Sequence, residues 1–378
     1  MAQPTVCFVA RTDFESKPGG DTVQWQLYDQ AARQSGLQTT LWTDDRSLPH
    51  ADVFHAFNVD RPLELYPKLL QVRRHRLPYI MSTIHHPKEW VLRFRRFLPP
   101  TGLLGRALYR SPLGRSLPAT ETIREAALIV QHRRLAHLGD LLPRWSRRVR
   151  WLLANASRVA LLTPREQEYV CKDFAAEVKR PFVLPNWVEP PDEHPSERPP
   201  LFESLPEAPV LVVGRIEPRK NSATICRLAD ALGRPLVFVG RPHPSETRFV
   251  EAFAQAIRRS TYVHWIPGVP RSQVPQFYRH ASFLLNAGLV EVSPLVDIEA
   301  LAYGCPVATT RYALHHELLP RDTPTVDPYD ENALNERLQW RPDRLDPTMV
   351  IDPRQCQRDL VQTYVDLASA RVHPSDGS

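Results

Sequence analysis

Two basic residues follow a short apolar run in the middle of the chain at a spacing that suits phosphate binding. Gly214 ends the strand predicted at Val210–Val213, Arg215 follows it, and Lys220 stands five residues after the arginine, just before a predicted helix. Such a turn places both cations and several backbone N–H groups at the carboxyl edge of a sheet. The segment therefore predicts a diphosphate site, and an exposed basic turn is the alternative interpretation.

Two glutamates with seven residues between them, Glu291 and Glu299, form the second chemical feature. Glu291 precedes a predicted helix and can reach a sugar, whereas Glu299 can accept hydrogen bonds from a ribose diol, as acidic residues do in Rossmann-type sites. On its own, such a pair is typical of a solvated helix face. The basic turn upstream and the strand entry at Gly304-Cys305-Pro306-Val307 downstream favour a nucleotide site instead.

The residues between the glutamates predict how that helix begins. Ser293 is a residue type that caps helices, and Pro294 is suited to the first helical position. The backbone N–H groups of Leu295 and Val296 are then expected to point toward a bound phosphate. This helix start adds to the positive potential of the predicted diphosphate site.

Short apolar runs that alternate with amphipathic stretches must position these residues. The alternation indicates an α/β fold in which crossover helices join parallel strands, and ligands of such sheets bind at the carboxyl ends of the strands. The first series of predicted strands comprises Val6–Ala10, Gln38–Trp42, Val53–Phe57, Tyr79–Thr83, Val159–Leu162 and Phe182–Leu184. The second series comprises Val210–Val213, Leu236–Val239, Val263–Ile266, Phe283–Leu285 and Val307–Thr309.

A proline-rich acidic run separates the two series. We predict an N-terminal Rossmann-like domain at 1–188, a linker without helix or central strand at 189–208, and a C-terminal Rossmann-like domain at 209–350. Residues 351–378 are predicted to form a helix that packs back on the N-terminal domain, followed by a frayed tail. The length of 378 residues, with 42% hydrophobic and 24% charged residues, fits two globular domains, which we expect to face each other across a cleft.

The order and spacing of Arg215, Lys220, Glu291 and Glu299, followed by an Ala-x-x-x-Gly-x-Pro-Val pattern, resemble the retaining, family-four glycosyltransferases (glycosyl transferases group 1) of the GT-B fold. The resemblance covers about residues 184–320 well and the N-terminal half loosely. It implies transfer of a hexose-type sugar from a UDP- or GDP-linked donor to a hydroxyl acceptor, a glycan that can be lipid-linked, with retention of anomeric configuration.

The same resemblance assigns roles within the C-terminal, nucleotide-sugar-binding domain. Arg215 and Lys220 neutralise the leaving diphosphate, Gly214 lies beside it, and Gly268 lies in the region that frames the nucleotide base. A metal ion and a cofactor other than the nucleotide sugar are not expected, and no Asp-x-Asp motif occurs in the sequence. The family's glycine-rich stretch between the glutamates is replaced here by Val292–Val296, so that the identity of the donor does not follow.

Two features of the N-terminal half also resemble this family. Gly19 and Gly20 stand in a segment similar to the glycine loop that closes over the donor phosphates, since glycine permits a close backbone approach. A simple turn is the alternative. His85, at the end of a predicted strand, matches a histidine on the acceptor side of the cleft and is expected to hydrogen-bond the donor sugar or the acceptor hydroxyl.

Three further residues lie in or just after these strands. His86 is a weaker candidate for the role of His85, and His55 and Asn58 are expected to line the cleft beside the strand at Val53–Phe57. A structural role in the core is the alternative for each histidine.

Positive charge is concentrated in residues 91–150, which hold thirteen arginines against Glu121, Glu125 and Asp140, whereas the whole chain carries a net charge of +6. Such an excess attracts anionic surfaces, and the aromatic residues interleaved with it near Phe94 suit docking on an anionic membrane. A solvated arginine face is the alternative. Nucleic acid is not an expected partner, because no recognisable binding module accompanies the charge.

Cysteine usage and hydropathy indicate where in the cell the protein is located. The five cysteines are scattered without CxxC spacing, which excludes a disulfide framework and indicates a reducing compartment. No uninterrupted apolar run is long enough to span a bilayer. We therefore expect a cytoplasmic enzyme, peripheral at the inner face of the cell membrane. An inactive, glycosyltransferase-like binding protein is the alternative.

Overall fold

The computed structural model describes residues 3–12, 14, 19–44, 47–98, 111, 114, 116–131, 144–189 and 197–372. The chain divides into two compact units, Met1–Asn186 together with Arg354–Ser378, and Trp187–Pro353. These boundaries lie a few residues from the positions 188 and 350 expected from the sequence. The C-terminal helix is part of the first unit, which is therefore discontinuous in sequence.

The described strands of the first unit form one parallel sheet in the order β2-β1-β3-β4-β5-β6. They are β1 (Thr5–Val9), β2 (Gln38–Trp42), β3 (Val53–Phe57), β4 (Tyr79–Ser82), β5 (Arg158–Leu161) and β6 (Pro181–Val183). Every residue of β3 and of β4 is buried. Helices on both faces bury such strands, which explains why they are continuous apolar runs in the sequence.

Helices complete the first unit. They are α1 (Gly20–Gln34), α2 (Pro62–Arg74), α3 (Lys88–Phe97), α4 (Leu117–Gln131), α5 (Trp145–Asn155), α6 (Pro164–Phe174) and the C-terminal α13 (Pro353–Val372). The Thr163 side chain caps α6 by accepting a hydrogen bond from the N–H of Glu166. Leu360, Tyr364 and Ala368 are buried at a spacing of one helical turn, so that one face of α13 packs into the unit.

The second unit has its own parallel sheet of described strands, in the order β12-β11-β10-β7-β8-β9. These are β7 (Val210–Val213), β8 (Leu236–Val239), β9 (Val263–Ile266), β10 (Phe283–Leu285), β11 (Val307–Thr310) and β12 (Thr325–Val326). Its helices are α7 (Pro200–Glu203), α8 (Ser222–Ala231), α9 (Thr247–Arg259), α10 (Val274–His280), α11 (Leu295–Ala302) and α12 (Glu331–Leu338). The α/β doubly wound class predicted from the sequence is confirmed for both units.

The proline-rich run differs from its prediction in one place. Pro200–Glu203 forms a short helix, although the sequence predicted none between 189 and 208. Proline is compatible with the first turn of a helix, because its missing N–H group has no intrahelical partner there. Phe202 anchors this turn in the core of the second unit, edge to face with Phe277 at 5.6 Å between ring centroids.

Candidate functional site

The basic turn lies at the carboxyl end of β7, as its sequence predicted. Gly214 leaves the strand with a φ of 147°, which favours glycine, and a short 3-10 turn follows at Pro218–Lys220. Asn221, in the left-handed region at φ 59°, precedes the first residue of α8. The Lys220 side chain folds back toward the strand end, where its Cε atom would lie 3.6 Å from a Cβ placed on Gly214.

A second glycine makes this strand end possible. Gly240 follows the neighbouring strand β8, and a Cβ atom there would overlap the carbonyl oxygen of Gly214. The N–H of Gly214 donates to the carbonyl of Val239 at 3.0 Å. The two strand ends therefore approach each other closely because neither carries a side chain. A cavity opens beside them, lined by Val213, Gly214, Arg215, Lys220, Asn286 and Ala287.

Glu291 is bound directly to the basic turn. Its Oε1 atom lies 2.7 Å from Lys220 Nζ, and its Oε2 atom lies 3.2 Å from Arg219 Nη1. The N–H of Glu291 donates to the carbonyl of Tyr312 at 2.8 Å, which fixes the start of the side chain. The sequence predicted that Glu291 reaches the sugar; in this structure its carboxylate is paired with the two cations.

Arg219 is a site residue that the sequence analysis missed. Its Nη2 atom donates to Glu217 Oε1 at 2.9 Å, and Nη1 also donates to the carbonyl of Val290 at 2.9 Å. Burial alone would lower the pKa of Arg219, but the carboxylates of Glu291 and Glu217 raise it above its ordinary value. The available signal was its position immediately before Lys220, which the many other arginines of the chain obscured.

Glu217 completes the cluster. Its Oε2 atom lies 3.8 Å from Arg215 Nη2 and 3.6 Å from His243 Nε2. Burial raises the pKa of Glu217, but the neighbouring cations, Arg219 first, bring it below its ordinary value. Burial lowers the pKa of His243, which favours its neutral form. Among these described side chains, two arginines and one lysine surround two carboxylates, an arrangement to which an anionic ligand can add.

The helix after Glu291 begins one residue later than predicted. Pro294 is the N-cap of α11 and has extended backbone angles, and no side chain forms a cap hydrogen bond. The prediction that Ser293 is the cap is therefore wrong, because Ser293 lies one residue too early for its hydroxyl to serve the first turn. Leu295 and Val296 are the first two residues of the helix, where N–H groups lack an intrahelical partner.

A buried polar network underneath this helix was also missed. Asp297, in the first turn of α11, is completely buried and accepts hydrogen bonds from Asn286 Nδ2 at 3.0 Å and from Thr309 Oγ1 at 2.5 Å. The Nε2 atom of His315, also buried, lies 3.0 Å from Asp297. These contacts join α11 to the ends of β10 and β11, so that Asp297 fixes the position of the helix start.

Glu299 and Gly268 lie where the sequence placed them in the fold. Glu299 is on α11, and its two carboxylate oxygens accept hydrogen bonds from Arg271 Nη2 and from the Tyr278 hydroxyl, each at 2.9 Å. Gly268 follows β9 with a φ of 104°, and a Cβ there would lie 2.8 Å from Arg241 Cγ. A side chain at this position would therefore displace Arg241.

In the first unit, the glycine pair begins a helix instead of a longer loop. Gly19 is the N-cap of α1 and Gly20 is its first residue. The N–H of Gly19 donates to Thr22 Oγ1 at 3.0 Å. A Cβ atom on Gly20 would meet no other atom within 4 Å, so the space beside it is open. Residues 15–18, which directly precede this pair in the segment similar to a glycine loop, lie outside the described residues.

His85 is buried and held between two carboxylates. Its Nδ1 atom lies 2.7 Å from Asp60 and its Nε2 atom 2.9 Å from Asp173. Burial alone would lower the pKa of His85, but these carboxylates raise it to about 9, so that the ring is cationic at neutral pH. Both ring nitrogens are thus paired with carboxylates inside the unit, and the predicted hydrogen bond from His85 to a sugar or an acceptor remains a prediction.

His55 is likewise a core residue, and its predicted place in a cleft is wrong. Its ring nitrogens lie 2.7 Å from the Tyr364 hydroxyl and 2.8 Å from Ser82 Oγ, and the ring stacks on Phe57. Burial lowers the pKa of His55 to about 3, so the ring is neutral.

His86 and Asn58 remain partly exposed next to Asp60. The N–H of His86 donates to Asp60 Oδ2 at 3.0 Å, and Asn58 Oδ1 accepts from the N–H of Asp60 at 3.2 Å. Ile84 has a φ of 46°, an uncommon value for a β-branched residue, and such strain marks the strand end as a constrained position. Asp60, which the sequence analysis did not select, thus connects the predicted histidines.

The basic segment is only partly described. Residues 99–110, 112, 113, 115 and 132–143, which carry several of its arginines, lie outside the described residues. Arg95 pairs with Glu121, and the buried Arg148 pairs with Glu125, so that part of the charge is neutralised inside the unit. No described helix is both long and apolar enough to cross a membrane. Within the described ranges, no three acidic, histidine or cysteine side chains are grouped as metal ligands would be.

The chain is similar to a family of glycosyl transferases and to several solved structures. A family model described as Glycosyl transferases group 1 matches residues 195–340, a range that contains the basic turn and both glutamates. Sucrose-phosphate synthase from Thermosynechococcus elongatus superimposes with a TM-score of 0.62 at 15% identity, covering 98% of each chain. HepE from Anabaena, in complex with UDP-glucose, superimposes with a TM-score of 0.58 at 13% identity, covering 98% of this chain and 95% of that one.

The chain has the GT-B fold. A third GT-B structure, trehalose-6-phosphate from E. coli bound with UDP-2-fluoro glucose, agrees with a TM-score of 0.57 at 11% identity, covering 98% of each chain. In sequence, the chain is 28% identical to D-inositol 3-phosphate glycosyltransferase from Nocardia farcinica (strain IFM 10152). The aligned region has 267 residues and covers 66% of this chain. The match spans 56% of the length of that relative. The resemblance indicated by the motifs is therefore confirmed.

Proposed function

We propose that this GT-B protein is a glycosyltransferase that moves a hexose-type sugar from a UDP- or GDP-linked donor to a hydroxyl group of a glycan, free or lipid-linked. The observation that carries the proposal is the cluster at the end of β7, where Arg215, Arg219 and Lys220 surround two carboxylates. A diphosphate fits this cluster because it supplies several negative oxygens within a short span, and because the glycines beside it leave room for its approach.

The cluster can assist departure of the leaving group. As the bond from the sugar to the diphosphate breaks, negative charge grows on the phosphate oxygens, and cations already in place stabilise that charge without rearranging. Lys220 is paired with Glu291. A diphosphate that takes over Lys220 releases the Glu291 carboxylate, which then accepts hydrogen bonds from hydroxyl groups of the transferred sugar. Fixed cations in this position supply the charge that a metal ion provides in other transferases.

Retention of configuration is part of the proposal. In the second unit, the described acidic residues nearest the diphosphate site, Glu217 and Glu291, are both tied into ion pairs with cations. Neither is arranged as a ready nucleophile, so we propose attack on the same face that the leaving phosphate vacates, with that phosphate accepting the proton of the incoming hydroxyl. Product stereochemistry, determined by NMR of the anomeric proton, tests this step, and an inverted product contradicts it.

The printed descriptions of related proteins support a nucleotide-sugar donor. The HepE structure contains UDP-glucose, the E. coli structure contains UDP-2-fluoro glucose, and the relative from Nocardia farcinica is named a glycosyltransferase of D-inositol 3-phosphate. Among the donors compatible with the cluster, UDP-sugars are therefore the first to test, followed by GDP-sugars.

The test is thermal stabilisation of the purified protein by UDP, GDP and ADP and by their sugar conjugates, with EDTA present. We expect one nucleoside diphosphate to raise the melting temperature and the Arg215→Ala substitution to abolish the increase. Arg258→Ala is the matched control, since Arg258 is an exposed arginine on α9 of the same unit. If no nucleotide stabilises the protein with or without divalent metal, the proposed function is wrong.

An inactive binding protein is the competing function, and turnover separates the two. A transferase hydrolyses its donor slowly when no acceptor is present, whereas a binding protein leaves the donor intact. We expect slow release of the nucleoside diphosphate from the preferred donor, and we expect Lys220→Glu to abolish it. A protein that binds the donor without hydrolysing it, and that remains inactive with glycan acceptors, favours the binding function.

We also propose that the enzyme is cytoplasmic and docks on anionic membranes through residues 91–150 to reach a lipid-linked acceptor. In the described part of this segment, the exposed Phe97 and Leu98 follow the exposed Arg93 and Arg96 on α3. Cosedimentation with vesicles that contain anionic lipid tests the proposal. Retention at low salt should fall in the Arg93→Gln/Arg96→Gln variant but not in the Arg258→Gln/Arg259→Gln variant, and a protein that stays in solution with all vesicles contradicts it.

A further inference from the structure

Glu299 is held more firmly than a surface glutamate. Its side chain is 17% exposed, and its two oxygens have different partners. Oε2 accepts a hydrogen bond from the Tyr278 hydroxyl at 2.9 Å, from inside the unit, and Oε1 accepts one from Arg271 Nη2 at 2.9 Å, from the surface. The carboxylate thus has one buried partner and one partner in contact with solvent.

The buried partner is rigid. The Tyr278 side chain is 1% exposed, and its ring stacks on Tyr303 with 6.2 Å between centroids and 17° between planes. The carbonyl of Tyr278 accepts a hydrogen bond from Arg344 at 2.9 Å, which fixes the backbone. Burial first, and then the charge of Glu299, raise the pKa of the Tyr278 hydroxyl well above its ordinary value, so that it remains a donor at any physiological pH.

The outer partner is replaceable. The Arg271 side chain is 52% exposed and comes from a short 3-10 turn, Arg271–Gln273. An exposed ion pair of this kind contributes little free energy, because water solvates both groups well. A ligand hydroxyl can therefore take the place of Arg271 on Oε1, whereas it cannot displace the buried Tyr278 from Oε2.

We propose that Tyr278 is a positioning residue that holds Glu299 to select ribonucleotides over 2′- and 3′-deoxyribonucleotides, and that Arg271 occupies the hydroxyl-binding oxygen until the ligand arrives. The inference rests on the proposed function, because Glu299 can contact a ribose only if the protein binds a nucleotide at this site. Selection follows from geometry: a carboxylate fixed in one rotamer loses no side-chain entropy when it accepts the ribose hydroxyls, and it is left poorly paired when the ligand lacks one.

The experiment measures nucleotide affinity by isothermal titration calorimetry with the full chain. The ligands are the nucleoside diphosphate that stabilises the protein and its 2′-deoxy and 3′-deoxy analogues. The wild-type protein should bind the ribonucleotide about tenfold or more tightly than one of the analogues, since hydrogen bonds to charged groups are the strong ones. In Tyr278→Phe this ratio should fall to within about threefold, because a mobile Glu299 no longer distinguishes the ligands.

Two further variants make the outcome specific. Arg271→Gln should increase the ribonucleotide preference about two- to fivefold, the range expected when a competing exposed ion pair is removed. Tyr262→Phe, which removes an exposed hydroxyl elsewhere in the second unit, should leave the ratio unchanged. Glu299→Gln should lower the ratio at least as far as Tyr278→Phe.

The results separate this inference from the function on which it rests. If Tyr278→Phe weakens both ligands equally and the ratio stays at its wild-type value, Tyr278 is only a structural residue and the inference is wrong. If the wild-type protein binds the nucleotides without any ribose preference, the inference fails while the proposed function stands. If the protein binds no nucleoside diphosphate, both fail. Thermal unfolding without ligand shows that each variant is folded.

Discussion

The carboxylate of Glu291 lies 2.7 Å from the ammonium group of Lys220, although the two residues are far apart in the sequence. The residue expected at the sugar and the residue expected at the diphosphate are thus bound to each other in this structure. Arg219 binds the second oxygen of the same carboxylate. Under the proposed function, a nucleotide sugar replaces this internal anion when it binds the cations.

This pairing predicts opposite effects of one substitution on binding and on turnover. Glu291→Gln removes the negative charge that competes for Lys220 and Arg219, so the affinity for the nucleoside diphosphate should rise about three- to tenfold, the effect of losing one partly buried charge contact. Transfer should fall at least tenfold, because an amide accepts hydrogen bonds from sugar hydroxyls less strongly than a carboxylate. Calorimetry and a coupled assay of nucleotide release measure the two effects.

The matched control for that prediction is Glu331→Gln. Glu331 also forms an ion pair with an arginine, Arg227, but on the exposed surface of α12. Its substitution should change neither quantity by more than about twofold. An affinity that is unchanged or lower in Glu291→Gln would show that Glu291 does not compete with the ligand.

Arg219 should matter for stability as well as for binding. Arg219→Ala leaves the carboxylates of Glu217 and Glu291 close together with fewer cations, so the free energy of unfolding of the second unit should fall by about 1–3 kcal/mol. Arg227→Ala, which removes an exposed ion pair with Glu331, should cost less than about 1 kcal/mol. Urea unfolding followed by tryptophan fluorescence compares the two, and equal losses would contradict the structural role of Arg219.

The histidine between two carboxylates predicts a pH dependence. Because the pKa of His85 is about 9 in the folded chain and about 6.5 when unfolded, its protonation stabilises the fold fully below about pH 6.5. This stabilisation is lost as the pH rises through 9. The free energy of unfolding lost in His85→Gln should therefore be about 3 kcal/mol larger at pH 6 than at pH 10.

His55→Gln provides the control for that pH dependence. His55 is equally buried, but burial lowers its pKa to about 3, so the folded chain holds it neutral. Its contribution is present above about pH 6.5 and is lost as the pH falls toward 3. The stability lost in His55→Gln should thus be constant between pH 7 and 10, whereas a loss in His85→Gln that does not vary over this range would show that His85 is neutral.

The close approach of two strand ends predicts the effect of a single methyl group. Gly240→Ala places a Cβ against the carbonyl oxygen of Gly214 and should destabilise the second unit by about 1–3 kcal/mol through forced separation of β7 and β8. Gly20→Ala adds the same group at an open position in the first turn of α1 and should not destabilise the first unit. Thermal unfolding measures both, and a Gly240→Ala variant as stable as the wild type would contradict the packing described.

The sequence predicted those parts of the site that depend on residues close together in the chain. Gly214, Arg215 and Lys220 follow one strand, and the end of a strand in a parallel sheet is recognisable from its apolar run. Glu299 could be assigned to a helix because the start of that helix was also recognisable from the local sequence. The doubly wound fold followed from the alternation of strands and helices, because that pattern is set by segment composition.

Contacts between distant segments could not be predicted in this way. The clash that requires glycine at position 240 arises only because β8 pairs with β7. Arg219 gains its role from Glu291, and Asp297 from residues just after β10, on β11 and in a later turn. The surroundings of the histidines were unpredictable for a related reason: a strand end fixes where a residue lies along the sheet, but the pairing of His85 with Asp60 and Asp173 depends on distant segments.

The placement of α13 with the first unit has a consequence for biosynthesis. A ribosome finishes residues 187–353 before it makes the helix whose Tyr364 hydrogen-bonds His55. The second unit can therefore fold during translation while the first, although made earlier, still lacks part of its core. Domains usually fold in the order in which they emerge. We expect the reverse order in this protein, with the first unit completing its core only after the last helix has been made.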